Sequence, residues 1–163
     1  FSPKWLFFIP GIILFSVGLF GFIALMLGPL DIGGITFDTN TLLICAAMLL
    51  VGFQALFFAI FTKAFAVRFG ILPPDKRIIA ILDSQTVEIG IVGGILLAML
   101  GAGYLVAAVL YWQNVSFGDL PYAESLRIVI PAVTAIALGI QSIFGGFLLA
   151  ILNLPRRDNR SSS

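Results

Sequence analysis

Gln54 and Gln141 stand in near copies of one hexapeptide, Gly-Phe-Gln-Ala-Leu-Phe at 52–57 and Gly-Ile-Gln-Ser-Ile-Phe at 139–144. A carboxamide donates and accepts hydrogen bonds but takes no proton at neutral pH, so neither residue can be a general base. Inside apolar segments, an amide turned toward lipid leaves its polar atoms unsatisfied, which is costly. Both glutamines are therefore expected to point inward, where they either brace neighbouring helices by interhelical hydrogen bonds that contribute about 0.6 kcal/mol on average or line a polar substrate path, and bracing is the favoured reading. Other chemistry is sparse. The chain has no histidine, the commonest general base and metal ligand, and a single cysteine, Cys45, which reads as a small packing residue. It has no glycine-rich phosphate loop, no Asp-x-Asp to hold a metal nucleotide and no carboxylate pair at catalytic spacing. No charge falls in the middle of an apolar run, so the carboxylate or lysine that marks proton-coupled transport is missing. The expectation is a chain that by itself holds no catalytic residue, cofactor or metal and binds no nucleic acid.

The cations remain. Lys4, Lys63, Arg68, Lys76, Arg77, Arg156, Arg157 and Arg160 all fall in segments at one end of the apolar runs. The opposite segments hold Arg127 together with Asp31, Asp38, Asp119 and Glu124. Under the positive-inside rule the basic side is cytoplasmic, and both termini are expected there. Two readings of the basic set stand. It sets topology and touches anionic lipid, at about 1 kcal/mol per residue near the surface; or Lys63, Arg68 and Arg77 contact a lipid phosphate where the cytoplasmic segments meet.

The elements that carry these residues follow from hydropathy. Hydrophobic residues make up 60% of the chain and charged ones 10%, against about 25% charged in a soluble domain. Apolar runs at about 5–27, 41–62, 89–112 and 127–152 are each long enough to cross a bilayer core. The fold class expected is all-α: a polytopic membrane protein of four transmembrane helices in two tandem hairpins. Residues 1–155 form the membrane domain, and 156–163 a polar cytoplasmic tail. Trp5, Tyr111 and Trp112 suit the interface. Residues 30–40, with Gly33-Gly34, read as a tight and extended excursion. Pro73-Pro74 breaks the connector between the second and third runs, because proline cannot donate and restricts the residue before it. After it, Lys-Arg-Ile-Ile-Ala-Ile-Leu (76–82) is either a short helix along the membrane surface or the lead-in to the third run. Asn114-Val115-Ser116 has the form of a glycosylation acceptor, a tripeptide frequent by chance. The chain opens at Phe1, and a fragment of a longer protein is expected.

The glutamine motifs suggest a repeat with a spacing of 141 − 54 = 87 residues, and Ile-Thr-Phe-Asp (35–38) pairs with Val-Ser-Phe-Gly (115–118). A duplicated hairpin and a chance likeness both fit so short a match. In lipid, helices associate by close packing of small residues. Gly90, Gly94, Ala98 and Ala102, at strict four-residue spacing with Gly93 and Gly101 alongside, are expected against Ala135, Gly139, Ser142, Gly146 and Ala150. Pro10 and Pro131 fall in early turns of the first and fourth runs.

Five segments carry a family resemblance: Lys-Trp-Leu-Phe-Phe-Ile-Pro-Gly (4–11), Gly-Pro-Leu-Asp-Ile-Gly-Gly-Ile-Thr-Phe-Asp (28–38), Gly-Phe-Gln (52–54), Gly-Ile-Leu-Pro-Pro-Asp (70–75) and Gly-Ile-Gln-Ser-Ile-Phe (139–144). They resemble the C-terminal four-helix membrane region of bacterial family 2 polyprenyl-phosphate glycosyltransferases, of the dolichol-phosphate glucose or mannose synthase-like kind. The resemblance covers nearly the whole chain, without the family's catalytic GT-A domain and its Asp-x-Asp motif. It implies a non-catalytic domain of the bacterial inner membrane that anchors a glycosyltransferase and helps present its polyprenyl phosphate acceptor. The partners implied are membrane lipids and a cytoplasmic catalytic domain. Two other functions remain open: an accessory subunit bound to neighbouring membrane subunits, and a small flippase for lipid-linked sugar.

Overall fold

A computed structural model of the chain describes residues 7–73, 76–114 and 122–153. Its elements in order are α1 (Ile9–Met26), β1 (Leu30–Ile32), β2 (Ile35–Phe37), α2 (Thr39–Arg68), α3 (Lys76–Leu82), α4 (Ser84–Asn114) and α5 (Tyr122–Asn153). Four of the helices are long and apolar enough to cross a membrane. α2, α4 and α5 run past their apolar segments, because a helix continues into polar sequence until something ends it, whereas α1 stays within its own. The chain is thus an all-α polytopic membrane protein.

Local chemistry sets the ends. Pro10 falls in the first turn of α1, where its missing N–H costs nothing. Gly28, Gly33 and Gly34 have positive φ, and the last two form the turn between β1 and β2. The expected excursion is therefore an antiparallel ribbon, in which Leu30 pairs with Phe37 and Asp31 with Thr36. The Thr36 hydroxyl also donates to the Asp31 carboxylate. At the other end of α2 the Gly70 N–H donates to the Val67 carbonyl at 3.2 Å and the Ile71 N–H to that of Ala66 at 2.8 Å. With Gly70 at φ 72° this is a Schellman stop. It makes Arg68 the last helical residue and turns the chain toward α3. Pro131 lies inside α5, one turn after Arg127.

The long helices pack in the order α1–α2–α5–α4, α1 and α4 each lying mainly along one neighbour. Glycines make the two tight seams. A Cβ on Gly18 would stand 2.5 Å from the Leu49 nitrogen and 2.9 Å from the Cys45 oxygen. One on Gly101 would stand 2.9 Å from the Ile136 nitrogen and 2.7 Å from the Ala132 oxygen. These surroundings correspond residue by residue, since 132 − 45 = 136 − 49 = 87. Gly11 meets Ala55 and Leu56, and Gly94 meets Ser142 and Ile143, at the same offset. The α1–α2 and α4–α5 hairpins therefore share one packing pattern, with offsets of 87 along the second helix and 101 − 18 = 94 − 11 = 83 along the first.

The α4 seam differs in detail from the expected row. Gly94 and Gly101 contact α5, but a Cβ on Gly90 would meet open space, and Ala102 is exposed. Steps of four residues drift round a 3.6-residue helix, so one face continues at 94, 98 and 101, in mixed steps of four and three.

The two hairpins meet along α2 and α5. Leu42, Cys45 and Ala46 of α2 share a buried cluster with Ile130 of α5 and with Phe22 and Leu25 of α1. Farther along, Phe57 abuts Gly145. Beyond that, Ala64 and Leu149 share a second cluster with Ile78 of α3 and Val87 of α4. Position rises together on both helices, so α2 and α5 run parallel. The first cluster lies at the ribbon end of the molecule, the second at the α3 end.

Candidate functional site

At the α3 end, the Schellman stop leaves Arg68 on the rim of a cleft of about 390 Å³ lined by Val67, Arg68, Ile79, Leu82, Asp83 and Asn153. α3 forms one wall. Ile78 is buried in the second cluster and anchors the helix, while Ile79 turns outward. The Asn153 amide at the end of α5 donates to the Leu82 carbonyl at 2.8 Å, and the Thr86 hydroxyl to that of Ala80 at 2.9 Å. Both bonds satisfy carbonyls left open where α3 ends. The cleft thus combines apolar walls with a guanidinium, a carboxylate and an amide.

The three expected phosphate contacts are not all brought together. Arg68 is exposed on the cleft rim, and Arg77 belongs to the first turn of α3. Lys63 is half-buried. It follows Gly52, which abuts Phe15 of α1, by about three turns (63 − 52 = 11 residues), so it stands on the α1-facing side of α2. Five residues carry Arg68 about 140° round the helix from Lys63, and the two share no face.

Gln54 and Gln141 lie at one depth, each about a turn before the Phe57–Gly145 contact. Both are half-buried. The Gln141 Oε1 is enclosed and has no hydrogen-bond partner. Cys45 is buried beside Gly21, whose missing side chain leaves room for the sulfur. The Thr134 hydroxyl is satisfied within its own helix, donating to the Ile130 carbonyl at 2.6 Å.

At the ribbon end lies a polar junction that sequence reasoning did not find. Arg127 Nη2 donates to Asp38 Oδ1 at 2.5 Å, and Nη1 to the Leu25 carbonyl at 3.3 Å. One guanidinium so ties the start of α5 to the start of α2 and the end of α1. The two side chains are 24% and 38% exposed, so part of the attraction is screened by water. Asp38 precedes α2, where a carboxylate also complements the helix dipole. The sequence signal was a lone cation among acids, without a way to choose its partner. Lys4, Trp5, Arg156, Arg157 and Arg160, the 156–163 tail, Asp119 and the Val115-Ser116 part of the glycosylation tripeptide lie outside the described residues, as do the side chains of Arg77, Tyr111 and Glu124.

Comparison with known proteins adds the context. A family described as "Glycosyltransferase family 2 C-terminal transmembrane region" matches residues 60–153, from the last part of α2 through α5. The chain is also similar to the low-salt glycan biosynthesis hexosyltransferase Agl6 of Haloferax volcanii, at 28% identity over 155 residues. That alignment takes in 93% of the chain and 35% of the hexosyltransferase, so the chain spans about a third of that relative's length. No solved structure matches the chain.

Proposed function

This chain belongs to the family of glycosyltransferase family 2 C-terminal transmembrane regions, and from that premise we propose that it anchors a catalytic domain at the membrane and helps present a polyprenyl phosphate acceptor to it. The observation that carries the reading is the cleft at the α3 end. Its walls, Val67, Ile79 and Leu82, are apolar, and Arg68 stands at its rim. A lipid phosphate needs both features: hydrocarbon beside the chain's own apolar surface, and a cation that fits phosphate by paired hydrogen bonds. Arg77 adds a second cation to the sequence of the same helix, in the first turn of α3. Lys63, on the α1-facing side of α2, stands apart from this cleft. The α3 end and both termini are cytoplasmic in this reading, and the β1–β2 ribbon lies on the far side; the distribution of cations supports it.

The test is binding of polyprenyl phosphate to the chain in nanodiscs. Arg68→Gln and Arg77→Gln should each weaken binding about tenfold, in keeping with loss of a charge-assisted hydrogen bond, whereas Lys63→Gln should leave it within twofold. Unchanged binding in the Arg68→Gln, Arg77→Gln double variant would remove the cleft from the proposal. Labelling of a cysteine at Gly34 from one side of sealed vesicles checks the orientation.

A further inference from the structure

The cleft leaves unexplained the apolar surface beside it. Phe69, Ile71, Leu72 and Ile79 are all exposed around the Gly70 turn and along α3, Ile71 at 70% and Ile79 at 55%. Lys76 is exposed next to them. α3 is apolar on two sides: Ile78 is buried against Ala64, Val87 and Leu149, and Ile79, at the mouth of the cleft, is more than half exposed. An aqueous loop would carry polar residues at these positions.

We infer that residues 69–73 and 76–79 lie in the headgroup layer of the bilayer, Ile71, Leu72 and Ile79 entering the hydrocarbon boundary and Lys76 contacting anionic phospholipid headgroups. Two observations besides exposure select lipid as the occupant. The connector joins α2 and α4, two helices long and apolar enough to span, so both of its ends are held at the membrane boundary. Its charge is complementary: the stretch 63–83 holds Lys63, Arg68, Lys76 and Arg77 against Asp75 and Asp83. A basic rim around an apolar face is the composition of helices that lie in an anionic interface. The inference does not depend on the acceptor reading, because it concerns bulk lipid and would hold for any function of the domain.

The experiment uses the whole chain in vesicles of phosphatidylcholine with phosphatidylglycerol. Cys45 is replaced by alanine, and a nitroxide is attached at Ile71→Cys or Ile79→Cys, with Asp83→Cys as the reference on the exposed bend. Helicity by circular dichroism verifies that each variant is folded. Collision with oxygen, which concentrates in hydrocarbon, is compared with collision with a water-soluble nickel chelate. The expected result is an oxygen-to-nickel ratio several-fold higher at 71 and 79 than at 83. Phosphatidylglycerol should be enriched about fivefold around Lys76, so its omission should lower the ratio at 79, and Lys76→Gln should abolish that dependence. A ratio at 71 and 79 equal to that at 83 places the segment in water and overturns the inference. Labels shielded from both reagents would show a protein surface, a catalytic domain or a second copy, covering the face, and would overturn it too. A ratio indifferent to phosphatidylglycerol with Lys76 intact would overturn the headgroup contact.

Discussion

Gly139 on α5 offers the sharpest test of the seams. A Cβ added there would lie 2.5 Å from the Gly94 oxygen, 2.6 Å from the Ala98 nitrogen and 2.8 Å from the Ala98 Cβ. The first two are backbone atoms and cannot rotate aside, so α4 and α5 must separate by most of an ångström. A radial gap of 0.5–1 Å forfeits about a quarter to a half of each dispersion contact along the seam. Overpacking of this kind costs about 1–3 kcal/mol, and in lipid no hydrophobic term compensates. Alanine regains about 1 kcal/mol of helix propensity over glycine, which leaves a net loss of up to roughly 2 kcal/mol. Gly93→Ala is the control, because a Cβ there meets nothing within 4 Å; it should be neutral or gain up to about 1 kcal/mol. Gly52, which stands to α1 as Gly139 stands to α4, should lose as much as Gly139. The assay is reversible unfolding in mixed micelles, followed by circular dichroism as denaturing detergent is titrated. Equal stability of Gly139→Ala and Gly93→Ala would refute the seam argument. A large loss at Gly139 with none at Gly52 would refute the equivalence of the hairpins.

Three further outcomes are expected. In a double-mutant cycle, Asp38→Asn and Arg127→Gln should show a coupling of about 1 kcal/mol, between the value for exposed pairs and that for charged hydrogen bonds; additive losses would show that the pair contributes nothing. Gln141→Leu should leave detergent stability unchanged or higher, since it removes an enclosed acceptor that lacks a donor. A coupled loss near 0.6 kcal/mol between Gln54→Leu and Gln141→Leu would instead reveal an amide pair. Gly70→Ala should cost about 1–2 kcal/mol because its φ of 72° crowds a Cβ, while Gly70→Asn, which tolerates that region better, should cost less; equal stabilities would refute the Schellman account.

Much was legible without coordinates, because it depends on local composition. Apolar run length predicts membrane helices, and the four helices follow; α2, α4 and α5 extend beyond their runs because hydropathy does not register helical turns that protrude beyond it, while α1 lies within its run. The glycine and alanine stripes named α4 and α5 as partners, since close approach in lipid requires small residues. The 87-residue spacing of the glutamine motifs was already visible, and the contacts of Gly18 and Gly101 show the same spacing in three dimensions. Extended backbone and a glycine turn were foreseeable at 30–40 for similar local reasons.

Class, the four membrane helices and the small-residue faces were thus readable from residues alone, all set by short-range propensities and by the solvent the chain must enter. Tertiary structure alone decided which members of each pattern meet. Arg127 had several acids to choose from and bonds Asp38, because α1, α2 and α5 converge at the ribbon end. Gly101 rather than Ala102 continues the seam, because helical drift and the path of α5 select the face. Lys63 and Arg68, neighbours in the list of cations, part company round α2, and the cleft exists only because α3 folds back against α5. Such contacts join residues far apart in the chain, and their energies depend on how rigid helices dock, which no local pattern encodes.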